Sequence, residues 1–176
     1  MEIPTVTARQ EKGLPPFVKN TWWAMTDRKA VEDLTVLLTV FRRRTLRFQL
    51  DAIERQTIKP KRVVVFQNGT HLRLPIRLLR SRGVDYVLNS QNTGYFGRFA
   101  HLLGAETEYV AVLDDDVLPG SRCLENYLGQ SRTLGAIIGG NGRIARTNPH
   151  VGELKQPNDV GVRPAPTLVD FVGHMW

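Results

Sequence analysis

The stretch from Asp33 to Phe41, "DLTVLLTVF", is a nearly unbroken run of apolar and β-branched residues. An antiparallel strand with one wet face would alternate apolar with polar. A run without alternation demands cover on both faces, the situation of a central strand in a parallel sheet. Strands of that kind need helices to cover them, so the rest of the chain is constrained to supply those helices between further strands.

It does so in order. "TLRFQLDAIERQ" sets Leu46, Leu50 and Ile53 at helical spacing, with Thr45 as a candidate N-cap, and Lys59-Pro60 lies beyond its end. "RVVVFQNG" reads as a second strand stopping at Asn68-Gly69, and "LPIRLLRSRG" as a short basic helix closed by Gly83. "VDYVLN" is a third strand. "YFGRFAHLLG" puts Phe96, Phe99 and Leu103 on one helical face, with Gly104 past the end. A strand from Tyr109 to Leu113, a helix from about Ser121 to Ser131 and a strand "AIIGG" from Ala136 follow. The expectation is an α/β fold of three layers, α/β/α, around a mainly parallel sheet. Ala145 to Thr167 is rich in Pro, Gly, Asn and Asp and reads as a long loop or flap, and "TLVDFVGHMW" is an apolar stretch.

Length and charge narrow the function. A chain of 176 residues is about one domain with room for a real core. Lys and Arg number 24 against 17 Asp and Glu, a net +7 that fits phosphate-bearing partners: nucleotides, nucleic acid or an anionic membrane surface. No aromatic–basic interleaving of the RNA-binding type is present, so no nucleic-acid partner is expected. The single Cys123 excludes an internal disulfide and is read as packing. Residues 1 to 33 carry charges throughout without an apolar signal core, and no apolar run approaches the ~18 residues of a membrane span. The expected location is therefore the cytoplasm or the cytoplasmic face of a membrane. "TWWAM", Thr21 to Met25, is read as cover for one end of the core.

Chemistry concentrates at one place. "EYVAVLDDDVLPG" ends a strand on Asp114, Asp115 and Asp116. Adjacent carboxylates repel, and the repulsion grows as water is withdrawn. A divalent cation resolves it, and Mg²⁺ or Mn²⁺ takes oxygen ligands, commonly one or two carboxylates plus substrate phosphates. At a strand end residues 114 and 116 point one way and 115 the other, so Asp114 and Asp116 can share a ligand. A solvated acidic turn, with Asp116 or Ser121 capping the next helix, is the alternative. A calcium loop is excluded because Val117, Leu118 and Pro119 interrupt the ligand series. An aspartyl-nucleophile phosphatase would carry its acids on the first strand, and a dinucleotide fold would show G-x-G-x-x-G after it; "GGNGR" lacks that spacing. In open α/β sheets ligands bind at the carboxyl ends of strands, where Phe41–Arg42, Gln67–Asn68 and Asp114–Asp116 would all emerge.

The pieces "LTVLLTVFRR", "TLRFQLDAIERQTIKPKRVVVFQNG", "NTGYFGRFAHL" and "YVAVLDDDV" together resemble nucleotide-sugar glycosyltransferases of the GT-A fold, over roughly residues 33 to 145. "GRF", "LDDDV" and "IIGGNGRI" are similar to the exostosin C-terminal transferase domain, with family-2-type transferases nearly as close. The resemblance implies a metal-dependent enzyme moving a hexosyl or N-acetylhexosaminyl group from a nucleotide-diphosphate donor to a glycan, protein or lipid acceptor. It implies Mn²⁺ or Mg²⁺ on Asp116, with Asp114 on the metal or ribose and Asp115 on the donor sugar. Arg98 would reach the diphosphate or order the aspartates, Phe41 and Arg42 would flank base and ribose, and Asn68 and Asn92 would line the same pocket. Relatives of the wider fold mostly carry Asp where Asn68 stands. His101, three residues after Arg98 on the same helix, could also face the site.

On this reading residues 1–33 are an irregular leader, 34–144 the donor-binding region, and 145–176 a flap with the start of an acceptor-side region. Asp170 is the one late carboxylate on an apolar segment and the candidate catalytic acid within the chain. The main catalytic carboxylate is expected beyond Trp176, in a longer protein. A non-catalytic nucleotide-sugar or carbohydrate-binding module is the alternative.

Overall fold

A computed structural model describes residues 29–147, 154–160 and 165–173; "TWWAM" lies outside them. Strand β1 (Val31–Val40) pairs in parallel with β2 (Lys59–Asn68) on one side and β4 (Tyr109–Leu113) on the other, and β2 pairs with β3 (Asp85–Asn89). The order β3-β2-β1-β4 makes β1 central, as its sequence demands. From Leu34 to Val40 every residue of β1 is buried, and Val36, Leu37 and Leu38 have no exposed surface. Side chains buried so fully contribute about 1.5–3 kcal/mol each relative to exposure.

Alternate residues of β1 serve opposite faces. Val36, Leu38 and Val40 meet Leu46, Leu50 and Ile53 of helix α1 (Leu46–Glu54), Leu79 of α2 (Ile76–Ser81), and Leu124 and Leu128 of α4 (Cys123–Leu134). Leu37 joins Val64, Phe66 and Val112, against which Leu102 of α3 (Phe96–Leu102) packs. The three-layer α/β/α arrangement is thus present, with three helices on one face and one on the other. Helix α4 runs three residues further than its sequence pattern predicts and stops at Gly135, whose φ of 59° lets its N–H reach Ser131 O at 2.8 Å.

Helix α3 is rotated from the expected packing. Phe96 and Leu103 are 83% and 90% exposed, while Arg98 and Leu102 turn inward. The cause is Gly97: a Cβ there would collide with Thr93 Oγ1 and meet the Phe66 ring at 3.1 Å, so this face lies flat on β2.

Two readings of the later chain are corrected. "AIIGG" is not a strand; pairing begins at Asn141, where β5 (Asn141–Thr147) joins β6 (Leu154–Val160) and β7 (Phe171–Gly173) in a separate antiparallel sheet of order β6-β5-β7. The segment expected to be a long loop therefore carries a hairpin, and β5 crosses residue 144. Cross-strand pairing outweighs the local turn-forming composition there, which is why the sequence pattern missed it.

Candidate functional site at the carboxyl ends of the strands

All four parallel strands end on one edge. Val40 lies beside Gln67, Leu38 beside Leu113, and Asn68 beside Asn89. The chain leaves β1 toward β2 on one side and returns as β4 on the other, so the strand order reverses between β1 and β4. A crevice opens outside a parallel sheet at such a switch point, with helices leaving to opposite faces. Asp114–Asp116 follow β4 directly and occupy this position.

Each acid is held differently. Asp114 Oδ1 accepts from Thr39 Oγ1 (3.3 Å) and forms an ion pair with Arg98 Nη1. Arg98 is 7% exposed, its guanidinium lies 4.9 Å from the Tyr95 ring centroid and 5.7 Å from that of Phe99. Burial lowers the Arg98 pKa, with Tyr95 and Asp115 acting in the opposite sense. Asp115 turns to β1: its Oδ2 accepts the backbone N–H groups of Phe41 (3.3 Å), Arg42 (3.2 Å) and Arg43 (3.2 Å), and its Oδ1 lies 3.7 Å from Arg43 Nε. Asp116 is exposed and faces Arg43 Nη2 at 3.4 Å.

The repulsion is therefore relieved by cations and amides of the chain itself, which the sequence argument had assigned to a metal. The contacts divide the triplet differently from the expected 114-with-116 pairing: Asp115 and Asp116 both face Arg43, while Asp114 faces Arg98. Asp115 is directed to the end of β1, where its Oδ2 accepts three backbone N–H groups. Among the described residues, no hydrogen bond engages the Asp116 side chain, and its one ion pair is the exposed contact with Arg43. No group of three or more His, Cys, Asp or Glu among the described residues is close enough to cage a metal. Two carboxylates, one of them exposed, fit an ion that keeps waters and shares phosphate oxygens, the usual habit of Mg²⁺.

The turn is fixed from α1. Gln49, fully buried, donates through Nε2 to Asp114 O (2.7 Å) and Val117 O (3.0 Å), while Thr45 Oγ1 donates to Asp115 O (2.5 Å). Thr45 therefore holds the acidic turn and makes no side-chain cap. Gln56, also fully buried, donates to Gly120 O (2.7 Å) and accepts from Leu124 N (2.9 Å). The sequence reading passed over both glutamines. Their signal was visible: Gln49 sits between Leu46, Leu50 and Ile53, on the apolar side of an amphipathic helix, where a polar residue needs a buried partner.

Asn68 and Asn92 come together, facing each other instead of an open pocket. Asn68 Nδ2 donates to Asn92 Oδ1 (2.9 Å) and Gly94 O (3.0 Å), and its Oδ1 accepts from Thr93 N (3.1 Å) and Asn89 Nδ2 (3.3 Å). This amide organises the β3–α3 connection. Asp at position 68 would lose both donated bonds, which accounts for the asparagine. Phe41 meets His71 edge-on at 5.0 Å, with the Arg42 guanidinium 4.9 Å from the Phe41 ring centroid, all on the same edge. His101 stacks on Phe66 at 6.2 Å, on the sheet face, and Asp170 directly precedes β7 of the second sheet, its N–H donated to Arg143 O at 3.0 Å. An apolar cleft of about 340 Å³ lies away from the acids, along the outer side of β4, lined by Phe99, Val110, Val112, Leu128, Ile137 and Ile138 among others. No helix among the described residues is long and apolar enough to cross a membrane.

No family model matches the chain, and no curated protein does. Among solved structures, S. aureus TarS, residues 1–349, is similar over 70% of this chain and 38% of that one, at 15% identity and a TM-score of 0.49. A mannosyltransferase of Pyrobaculum calidifontis, PcManGT in complex with GDP-Man and Mn²⁺, is similar over 77% of this chain and 43% of that one, at 17% identity and a TM-score of 0.44. The chain spans less than half the length of either, and neither likeness singles out an exostosin.

Proposed function

We propose that this chain forms the donor-binding part of a metal-dependent glycosyltransferase of the GT-A type, one that moves a sugar from a nucleotide-diphosphate donor to a glycan, protein or lipid acceptor. The observation that carries the reading is the acidic turn at the switch point, with Asp116 exposed and two arginines, Arg43 and Arg98, paired to the turn. Mn²⁺ or Mg²⁺ held by Asp116 and Asp114 would supply Lewis-acid stabilisation of the leaving diphosphate. Arg43, exposed and only loosely paired, is free to swing to a phosphate oxygen. Arg98 cannot swing, because it is buried beneath Tyr95; it fixes Asp114 and keeps positive charge under the site. Asp115 shapes the end of β1, so that Phe41 and Arg42 are presented at the mouth of the crevice for base and ribose. Asn68 and Asn92 act on the donor through the loop they brace. The acceptor side, with Asp170 as its candidate acid, and a cytoplasmic setting complete the proposal.

Calorimetric titration with UDP and GDP, with and without Mn²⁺, tests it. Binding is expected only with the metal and is expected to vanish in Asp116→Ala. Metal-independent binding, or binding unchanged in that variant, defeats the reading. Release of free sugar from UDP-sugars then separates an enzyme from a module that only binds.

A further inference from the structure

The edge that carries the acids also carries an unbalanced positive charge beyond the crevice. The connections after β1 and β2 hold Arg44 and Arg47, and Arg73 and Arg77, all exposed and none with an ion-pair partner among the described residues. No acidic residue occurs from Phe41 to Leu50 or from Gln67 to Val84. The Phe41–His71 contact brings these two connections side by side. At the opposite edge acids and bases are matched, Asp33 with Lys61, Asp85 with Arg62 and Glu32 with Arg132. The fold is therefore electrically polar along the strand direction, with its uncompensated end at the carboxyl edge.

The other two connections on that edge add apolar groups. Tyr95 and Phe96, after β3, are 74% and 83% exposed, and Leu118, after β4, is 58% exposed. Side chains of this size standing in water beside unpaired arginines match a peripheral membrane surface, where aromatics enter the headgroup layer and arginines meet lipid phosphates. The groups are spread across four strands, about 15 Å at the usual strand spacing, with a helix layer on each face. That is a plate and not a groove, which suits a flat anionic surface better than a single strand of nucleic acid.

We propose that the rim formed by Arg44, Arg47, Arg73 and Arg77 with Tyr95, Phe96 and Leu118 docks on an anionic lipid bilayer, turning the crevice toward the headgroups. The inference stands apart from the donor reading, since none of the four arginines, Phe96 or Leu118 is placed in the donor site.

Flotation of the full chain with phosphatidylcholine vesicles, with and without 30 mol% phosphatidylglycerol at about 0.1 M salt, tests it. Binding is expected to the anionic vesicles only. Each arginine near such a surface contributes about fivefold to partitioning, so Arg73→Gln with Arg77→Gln lowers it about 25-fold. Phe96→Ser with Leu118→Ser keeps the charge and still weakens vesicle binding several-fold. All four residues are exposed, and circular dichroism checks that the fold is kept. No vesicle binding, equal binding to neutral vesicles, or heparin binding that falls in the arginine variant without any vesicle binding each overturns the proposal; the last assigns the rim to a soluble polyanion.

Discussion

Replacing Gln49 by methionine keeps the volume and flexibility of the side chain and removes its amide. Two donated bonds disappear, to Asp114 O and Val117 O. Asp114 O retains the Val117 N–H at 3.0 Å, so the loss falls mainly on Val117 O. Two weakened carbonyls cost roughly 2–4 kcal/mol before compensation. Gln49 Oε1, however, is buried without a hydrogen-bond partner, and deleting it returns about 1–2 kcal/mol. The net expectation is a destabilisation of about 1–2 kcal/mol, a fall in Tm of about 2–8 °C for a domain of this size. Binding is the sharper readout. The lost bonds fix the backbone of Asp114, so metal-dependent UDP binding should weaken about 10-fold, as is usual when a ligand's outer support is cut. Gln56→Met is the control. It breaks bonds of the same kind to Ala52 O and Gly120 O, away from the acids, and should lower Tm while leaving UDP binding unchanged. Thermal melts and calorimetry on both variants decide. Equal weakening of UDP binding in the two, or none in Gln49→Met, refutes the idea that α1 positions the acidic turn.

Asp115→Ala frees three backbone N–H groups at the end of β1 and should cost about 1–3 kcal/mol in urea denaturation, with Asp115→Asn recovering part of it through its remaining oxygen. Asp116→Ala, which breaks only an exposed pair with Arg43, should shift the same curve by less than about 1 kcal/mol. Asn68→Asp places a carboxylate against Asn92 Oδ1 and Gly94 O and should raise hydrogen exchange across residues 92–94; unchanged protection there contradicts the bracing role. Burial pushes the Cys123 thiol from 9.0 to about 11. Because the folded value is the higher, its contribution to stability is present below pH 9 and lost as pH rises through 11, and iodoacetamide labelling at pH 8 should be slow until urea is added.

Much of this fold was legible because one strand left no choice. The unbroken run in β1 required a parallel sheet with two helical layers, and turn residues marked where each element stopped. Pattern failed where long-range contacts decide. Nothing local in "AIIGG" says that the next pairing begins at Asn141, or that "LKQPNDV", with Pro157 and Asn158, pairs as a strand. In the site, the acidic triplet and Asn68 stood out by type and by their place at strand ends, and Arg98 through the family resemblance. Their pairings did not: that Arg98 goes to Asp114, and Asp115 to the amides of β1, depends on how α3 and β1 meet across β4. Gln49 was missed for a related reason, since a glutamine on an apolar helical face reads as a tolerated exception until its partner is seen.

The charge within the turn sets the order in which ligands should arrive. Three carboxylates face two guanidiniums, those of Arg43 and Arg98, which leaves a net charge of −1. A site of −1 whose carboxylates are already paired is a poor trap for a divalent ion on its own, because Mg²⁺ and Mn²⁺ lose water reluctantly and gain little from one net charge. On the proposed reading a nucleotide diphosphate would change the balance. Its oxygens would supply further ligands, and its negative charge would draw Arg42 and Arg43 inward, releasing Asp116 from its 3.4 Å pair. Metal and nucleotide should therefore bind together, each raising the affinity of the other by the same factor. Mn²⁺ titrated alone, followed by its paramagnetic resonance signal, should bind in the millimolar range and tighten at least 10-fold when UDP is present. Tight Mn²⁺ binding without nucleotide would mean that the acids are not neutralised as their contacts indicate.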